Sequence, residues 1–222
     1  MYAYLSESQR KAVDVINNGQ NVLITGPAGT GKSYLLQYIK KELSYKKLHI
    51  TATTGIAAVN VGGVTLHSWA CIGIETLPLN EIVKNILSAK GINIRKKLQQ
   101  TEILAIDEIS MLSASTFELL DNILKIVRGN EYPFGGIQLI LFGDFFQLPP
   151  VKTDSFCFES TAWKEADIKI IELKESFRQE DKEFLTLLNN IRWGYRKKED
   201  LKQAGAEIFA EKPLDLLDLI SL

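Results

Sequence analysis

Cysteine and long apolar runs are scarce in this 222-residue sequence. Cys71 and Cys157 are too few and too far apart for a disulfide framework or a cysteine metal cluster, which favours two lone buried thiols in a reducing compartment. No stretch approaches the roughly 18–20 unbroken apolar residues that a membrane-spanning helix needs. The N-terminus also lacks a basic segment followed by an apolar run, so it does not read as a secretory signal. We therefore expect a soluble intracellular protein.

A strong excess of charge is missing as well. The 26 Lys and Arg residues nearly balance the 27 Asp and Glu residues, which leaves a net charge of −1. This balance argues against wrapping duplex DNA by bulk electrostatics but permits a local groove for a single strand. Hydrophobic residues at 45% and charged residues at 24% are ordinary globular values and exclude a disordered or collagen-like chain. The length predicts one to two domains.

Short, continuous apolar runs predict strands that are buried on both faces, as in a parallel sheet covered by helices on each side. The predicted strands are Asn21–Thr25, Leu48–Thr51, Ile103–Ile106, Ile137–Phe142 and Lys169–Leu173. Apolar residues at helical spacing lie between and after them. The predicted helices are Ser8–Asn17, Ser33–Leu43, Ser115–Val127 and Lys182–Trp193, the last with Gly194 as its cap. The alternation indicates an α/β domain.

Polar or glycine-rich segments follow every predicted strand. They are Gly26–Ser33, Ala52–Ala58, Asp107–Glu108, Gly143–Pro150 and Lys174–Arg178. Ligands of parallel sheets bind outside the carboxyl ends of the strands. We therefore expect these segments to form one shared site.

The segment Gly26–Ser33 fits the phosphate-loop pattern G-x-x-x-x-G-K-[ST] between a strand and a helix. Its glycines let backbone N–H groups surround phosphate oxygens, and the helix N-terminus adds a favourable dipole. Lys32 can reach the β- and γ-phosphates, and the Ser33 hydroxyl can ligate Mg²⁺. An ordinary glycine-rich turn is the alternative. The predicted nucleotide-binding residues of the loop are Gly26, Pro27, Ala28, Gly29, Thr30, Gly31, Lys32 and Ser33.

An acidic pair, Asp107 and Glu108, leaves the buried strand Ile103–Ile106. Beside the phosphate loop, Asp107 can hold Mg²⁺ through water, and Glu108 can polarise the attacking water. A solvated turn is the alternative for an Asp-Glu pair taken alone. We predict that Asp107 takes part in the metal site and that Glu108 is catalytic.

Two further residues fit catalytic roles after later strands. Gln147 can report on a γ-phosphate through a hydrogen bond that is lost after hydrolysis. Arg178 can stabilise phosphate charge in the transition state. On local evidence, a polar loop residue and a surface arginine are equally good interpretations of these two positions.

Several segments occur together in an order that resembles the Pif-type DNA helicases, the RecD-like, 5′-to-3′ branch of helicase superfamily one. The segments are Leu5–Gln9, the phosphate loop, Thr51–Ala58, Gly62–Trp69, Ile106–Leu112, Phe117–Arg128, Pro133–Gln138 and Gly143–Val151. The segment Phe117–Arg128 and the loop after it resemble the family's signature helix. Ser115, Leu119 and Leu124 are mild departures from the family pattern. The resemblance covers roughly residues 5–194.

The resemblance implies a RecA-like P-loop NTPase domain that binds ATP with Mg²⁺ and single-stranded DNA. Gln9 would hydrogen-bond the adenine edge. The residues implied for the single-strand path are Thr54, Gly55, Thr65, His67, Phe134, Gly135 and Gly136. Such a path needs backbone donors, small residues and rings for stacking. Core packing is the alternative for His67 and is favoured for Trp69. The basic clusters at 40–41, 46–47, 95–97 and 196–198 are expected to be solvated faces.

The resemblance also implies two RecA-like domains with ATP bound between them. We expect residues 1–194 to form the first, and the segment 195–222 is too short to hold the second. The predicted function is therefore that of an ATP-dependent 5′-to-3′ helicase motor domain that is unable to unwind DNA alone. A nucleotide-binding switch or assembly module is the alternative, and a small P-loop kinase is a third interpretation.

Family roles in DNA repair, recombination and telomere maintenance come with the resemblance. They imply single-stranded DNA or a 5′-tailed duplex as partner and no membrane. The expected location is the cytoplasm or nucleoid, or the nucleus or mitochondrion in a eukaryote.

Overall fold

A single parallel sheet organises the computed structural model, which describes residues 4–27, 29–73, 77–151 and 155–175. Within these residues the strand order is β3-β2-β4-β5-β1-β6, and neighbouring strands pair in parallel. The strands are β1 (Val22–Thr25), β2 (Leu48–Ala52), β3 (Val64–Thr65), β4 (Ile103–Asp107), β5 (Gln138–Phe142) and β6 (Lys169–Glu172). The predicted parallel α/β architecture is confirmed.

Helices connect the strands. In the described residues they are α1 (Glu7–Asn17), α2 (Lys32–Glu42), α3 (Gly55–Asn60), α4 (Leu66–Ala70), α5 (Leu79–Leu87), α6 (Ile92–Gln100), α7 (Ala114–Arg128) and α8 (Thr161–Glu165). The predictions for α1, α2 and α7 are confirmed, each bound differing by at most one residue. The predicted helix 182–193 with Gly194, the boundary at 194 and the segment 195–222 lie outside the described residues.

Hydroxyl side chains fix where the long helices begin. Ser6 accepts the Gln9 N–H, while the Gln9 side chain accepts the Ser6 N–H, and this reciprocal capping box starts α1. Ser113 accepts the Thr116 N–H and starts α7. Gly129 ends α7 with a φ of 67°, a left-handed conformation that glycine adopts without steric cost. Caps of this kind each contribute about 0.5–2 kcal/mol to stability.

The sheet separates two apolar layers, as its continuous apolar strands predict. Alternate residues of β4 show the division: Ile103 and Ala105 belong to the layer that contains α1 and α2, whereas Leu104 and Ile106 face the layer with α4 to α8. Burying one large aliphatic side chain contributes about 1.5–3 kcal/mol. The sheet is therefore held from both faces, and its carboxyl edge is positioned by packing on each side.

Several short elements were absent from the predicted pattern: β3, α3, α4, α5, α6 and α8. The helix α5 carries a detectable signal, because Ile82 and Ile86 recur at a spacing of four and both are buried. The strand β3 has two residues, too few for a periodic pattern. Across the described part of the chain, no helix combines the length and apolar character that crossing a membrane requires.

Candidate functional site

The carboxyl ends of the strands bring the predicted segments to one edge of the sheet. Thr25, the last residue of β1, pairs with Glu172 of β6, and Ile24 pairs with Phe142 of β5. At the other side of the sheet, Ala52 pairs with both Asp107 and Thr65. The segments that follow these residues therefore start side by side, as the sequence predicts.

The phosphate loop requires glycine for two reasons, its positive φ angles and the lack of room for a side chain. Gly26 has a φ of 143°, and a Cβ atom there would lie 2.5 Å from the Leu173 carbonyl oxygen. Gly29 and Gly31 have φ values of 84° and 85°. The loop therefore packs tightly against the end of β6 and turns directly into α2. Ala28 lies outside the described residues.

The side chain of Lys32 folds onto its own loop. Its Nζ donates to the Gly26 carbonyl at 2.6 Å and to the Pro27 carbonyl at 3.0 Å. The buried Thr30 hydroxyl also donates to Pro27, at 2.9 Å. Ser33 is exposed at the start of α2. The ammonium is thus held within the loop, where its positive charge can meet an anion.

Gln9 links α1 to the phosphate loop. Its side chain is buried, with Oε1 accepting the Ser6 N–H at 3.0 Å and Nε2 donating to the Gly31 carbonyl at 3.4 Å. The predicted contact with adenine stays a prediction. The geometry places this amide directly beside the loop.

Glu175 is a site residue that the sequence reasoning missed. Its carboxylate accepts the Ser8 hydroxyl in a short hydrogen bond, and this bond lowers the pKa of Glu175 to about 2. The contact ties the segment after β6 to the first turn of α1, beside Gln9. The signal in the sequence was the position of Glu175 directly after a strand, but its partner lies far away along the chain.

Asp107 and Glu108 stand at the end of β4 and are both half-buried. The pKa of Asp107 is raised to about 6, chiefly by burial and also by the Glu108 carboxylate, while the Glu108 N–H and the Lys32 ammonium act in the opposite direction. The Glu108 N–H donates to Asp107 Oδ1 at 3.0 Å. Glu108 has a left-handed backbone, with a φ of 54° and a ψ of 44°. The chain therefore turns sharply at Glu108, directly after β4.

Thr53 holds the backbone of this acidic pair from the neighbouring strand. Its N–H donates to the Asp107 carbonyl at 3.2 Å, and its hydroxyl donates to the Glu108 carbonyl at 2.9 Å. Sequence reasoning placed Thr53 in a segment at a strand end but assigned no role to it.

Gln147 is exposed in the loop after β5 and is held by Asp144, which is buried. Asp144 is 1% exposed, and its carbonyl accepts the Gln147 N–H at 2.9 Å. The Gln147 side-chain amide donates to the Asp144 carboxylate at 3.4 Å. Asp144 therefore sets the position of Gln147 relative to β5. Arg178, the other predicted catalytic residue of the later strands, lies outside the described residues.

Comparison with known proteins identifies the family. The profile of the PIF1-like helicase family matches residues 4–202. The chain belongs to this family. The predicted resemblance is thereby confirmed.

Relatives and solved structures agree with this assignment. The ATP-dependent DNA helicase RRM3 of Saccharomyces cerevisiae is 46% identical over 201 residues, which are 86% of this chain and 28% of that protein. The crystal structure of Pif1 helicase from Candida albicans has a TM-score of 0.84 at 42% identity and covers 90% of this chain and 46% of that one. Pif1 helicase from Bacteroides, in complex with ADP-AlF3 and ssDNA, has a TM-score of 0.80 at 33% identity and covers 94% and 52%.

These similarities confirm the predicted RecA-like fold. They also show that the chain spans less than a third of the length of RRM3 and about half of each solved chain.

The residues predicted for the PIF1-like single-strand path fall into two groups. The first lies at the ends of β2 and β3. Thr54 accepts the Ala57 N–H and begins α3, while Thr65 accepts the Ser68 N–H and begins α4. Gly55 is exposed, and a Cβ atom there would meet nothing within 4 Å. His67 is half-buried. This group leaves room for a ligand along the edge of the sheet.

The second group requires a correction. The resemblance implies that Phe134 lies on the single-strand path, where a ring would stack on a DNA base, but the structure buries Phe134 completely. Its ring lies 4.8 Å from the Phe117 ring, and its N–H donates to Asp121 Oδ1 at 2.6 Å. Gly135 is buried too, whereas Gly136 is exposed. The side chain of Phe134 serves the core, so the predicted stacking role is wrong.

Trp69 is buried, as the core interpretation favours. Lys97 lies over Trp69 and differs from the expectation that the basic cluster 95–97 is a solvated surface. Its Nζ donates to the Trp69 carbonyl at 2.5 Å and lies 5.6 Å from the centre of the indole ring. This one member of the basic cluster 95–97 therefore anchors α6 to α4.

Proposed function

We propose that this chain contains the ATP-binding and ATP-hydrolysing motor domain of a 5′-to-3′ DNA helicase and that it contacts single-stranded DNA. The observation that carries the proposal is the meeting of the phosphate loop with Asp107 and Glu108 at one edge of the sheet, next to the open surface at Gly55. The relatives support it, since RRM3 is an ATP-dependent DNA helicase and the Bacteroides structure contains ADP-AlF3 and ssDNA.

The residues of the phosphate loop fit nucleotide phosphates. Lys32 already lies against two loop carbonyls, and a charged phosphate is a stronger acceptor than either. The glycines with positive φ have no side chains, so they do not block access to the backbone N–H groups of the loop. Gln9 joins α1 to this loop and Glu175 joins α1 to the segment after β6, so the base of the nucleotide would be read from the side of α1.

Ser33 and Asp107 fit a magnesium ion that accompanies the nucleotide. A hydroxyl and a carboxylate are oxygen ligands of the kind that Mg²⁺ takes, and this ion is usually bound through one or two protein ligands together with phosphates and water. The ion would neutralise phosphate charge, and the raised pKa of Asp107 indicates a carboxylate that gains from a nearby cation.

Glu108 is the proposed base for the attacking water, because it follows Asp107 at the end of β4 and its carboxylate is near enough to influence the pKa of Asp107. Gln147, supported by Asp144, is the proposed sensor of the γ-phosphate, and Arg178 is proposed to stabilise its charge. Hydrolysis would then depend on groups that follow β4, β5 and β6.

The proposed contact with DNA runs along Thr54, Gly55, Thr65 and His67 at the carboxyl edge of the sheet; Gly136 is exposed but precedes β5 at the opposite edge, so it is left out of this path. The proposed motor domain extends over residues 1–194. Strand separation belongs to a whole helicase with two such domains, acting on single-stranded DNA or a 5′-tailed duplex in a compartment that holds DNA.

The test compares Lys32→Ala with Lys41→Ala, a variant of an exposed lysine on the same helix. We measure binding of a fluorescent ATP analogue and ATP hydrolysis with and without oligo-dT. The unmodified chain and the Lys41 variant should bind nucleotide, and oligo-dT should raise their turnover. The Lys32 variant should lose both properties. Nucleotide binding that survives in the Lys32 variant would contradict the proposed phosphate site.

A result with nucleotide binding but no response to oligo-dT would favour the alternative function, a nucleotide-binding switch module.

The DNA surface is tested by His67→Ala. This variant should weaken oligonucleotide binding by ~1–3 kcal/mol if the ring stacks, with little dependence on base sequence.

A further inference from the structure

Thr53 joins two parts of the proposed site that have different tasks. It stands between β2 and α3, directly before Thr54, which begins α3. Its N–H and hydroxyl donate to the carbonyls of Asp107 and Glu108, at 3.2 and 2.9 Å. One residue therefore contacts the backbone of both acidic residues and adjoins the first residue of the proposed single-strand path.

The backbone of Glu108 needs such support. A non-glycine residue in the left-handed region is strained and persists only where its surroundings hold it. The Glu108 carbonyl accepts from the Met111 N–H at 3.1 Å, inside its own turn, and from the Thr53 hydroxyl. The Thr53 bond is the contact that reaches this carbonyl from the neighbouring strand. Displacing Thr53 would therefore change the direction in which the Glu108 side chain leaves the turn.

We propose that Thr53 is a positioning residue that couples occupancy of the single-strand site to the acidic pair. The inference rests on the proposed function, because it assigns the two sites that Thr53 connects. A strand held against Thr54 and Gly55 fixes the peptide before α3, and with it the two bonds to Asp107 and Glu108. By linkage, a nucleotide held at the acidic pair must change the affinity for DNA by the same factor.

Thr51 provides a matched control. It lies two positions earlier, within β2, and its hydroxyl donates to the Ala105 carbonyl at 2.9 Å, the same kind of bond at the same distance. That bond ends in the interior of the sheet, away from the acidic pair and from α3. A Thr51 variant therefore loses an equivalent hydrogen bond without touching the proposed connection.

The experiment measures coupling rather than turnover. The affinity of the chain for labelled oligo-dT is determined with and without a saturating non-hydrolysable ATP analogue and Mg²⁺, and the nucleotide affinity with and without oligo-dT. The unmodified chain should show a ratio of ~5-fold or more in both directions. Thr53→Val should bring both ratios below about twofold, while each ligand alone binds within about twofold of its normal affinity. Thr53→Ser, which keeps the hydroxyl, and Thr51→Val should keep the normal ratio.

The outcomes separate the inference from the function on which it rests. A Thr53→Val protein with the normal ratio, or a Thr51→Val protein that loses it equally, would overturn the role of Thr53. An unmodified chain that binds both ligands with a ratio of one would overturn the inference and leave the proposed function in place. An unmodified chain that binds neither ligand would overturn the proposed function itself. If Thr53→Val does not fold by circular dichroism, Thr53→Ala takes its place under the same criteria.

Discussion

Glu108 and Phe134 share an uncommon backbone and differ in almost everything else. Both are non-glycine residues in the left-handed region, with φ values of 54° and 52°. Glu108 follows β4 at the carboxyl edge of the sheet and is half-buried among polar groups. Phe134 precedes β5 at the opposite edge and is fully buried. The same local conformation therefore occurs once in the proposed site and once in the core.

The two turns are held in different ways. Around Phe134, Asp121 accepts its N–H, and the Gly135 carbonyl accepts from Arg128 Nε at 2.5 Å and from Asn130 Nδ2 at 3.1 Å. Arg128 also donates to three carbonyls near the end of α6. In the Glu108 turn the next residue, Ile109, is fully buried in the apolar layer, but the Glu108 side chain itself is only half-buried. In one case the strained backbone serves packing, and in the other it aims a carboxylate.

The largest expected effect concerns the chemistry of Glu108. Glu108→Gln keeps the shape of the side chain and removes the base, so turnover of ATP should fall by ~10²–10⁴-fold while nucleotide affinity stays within about twofold. Steady-state hydrolysis and nucleotide titration measure the two quantities. If nucleotide binding were lost instead, Glu108 would be a structural or metal-binding residue, and the contrast with Phe134 would disappear.

The next effect concerns the packing of Phe134. Phe134→Ala should lower the free energy of unfolding by about 3–5 kcal/mol, because it removes a fully buried ring beside Phe117. Urea denaturation measures this loss. The control is Phe146→Ala, since Phe146 is 51% exposed and should cost less than about 1 kcal/mol. A stable Phe134 variant with reduced DNA affinity would restore the stacking role that the structure rejects.

A smaller effect concerns the pH dependence at Asp107. Its pKa is about 6 in the folded chain and lower when unfolded, so the folded state binds the extra proton between about pH 4 and pH 6. The contribution of Asp107 to stability therefore falls as the pH rises through that window. Without nucleotide or metal, Asp107→Asn should raise the free energy of unfolding by about 1–2 kcal/mol at pH 7.5, after allowance for solvent screening, and by almost nothing at pH 4.

Urea denaturation at both pH values tests this prediction. A gain that is equal at pH 4 and pH 7.5 would show that burial of the charged carboxylate is not its cause. The Asn side chain keeps an oxygen that can accept the Glu108 N–H, so the turn itself is preserved.

The smallest expected effect distinguishes the contribution of the Glu108 backbone conformation to stability from the contribution of its side chain. Glycine relieves the left-handed strain but gains more freedom in the unfolded chain, so Glu108→Gly should change the free energy of unfolding by less than about 1 kcal/mol. The matched Phe134→Gly should still lose about as much stability as Phe134→Ala, because both variants lose the buried ring and the two effects of glycine on the backbone nearly cancel. Equal losses at the two positions, measured by the same denaturation, would mean that the Glu108 side chain also supports the fold.

The strands and the phosphate loop could be predicted because their signals are local. Continuous apolar runs mark β1, β2, β4, β5 and β6, and the glycine spacing of the loop is contained in eight neighbouring residues. Buried parallel strands need this composition wherever they occur. The convergence of polar segments then followed from the rule for parallel sheets rather than from any single motif.

The remaining features depend on partners that are distant in the sequence. Glu175 reaches Ser8, and Thr53 reaches Glu108, across large parts of the chain. Phe134 stands in a Pro-Phe-Gly-Gly segment that is typical of an exposed turn, and its burial depends on Phe117 and Asp121 of α7. A sequence pattern shows which residues can make such contacts but does not show which pairs meet.

The strand order has a consequence for how the chain acquires its site during synthesis. The strand β1, which leads into the phosphate loop, lies between β5 and β6, so that Val22 pairs with Ile140 and with Lys169. Contacts between such distant residues form slowly, because the intervening chain must first be ordered. A nascent chain that ends before β6 would leave the Leu173 side of the phosphate loop uncovered, although every residue of that loop had been made. The first site segment to be translated is therefore among the last to reach its final form.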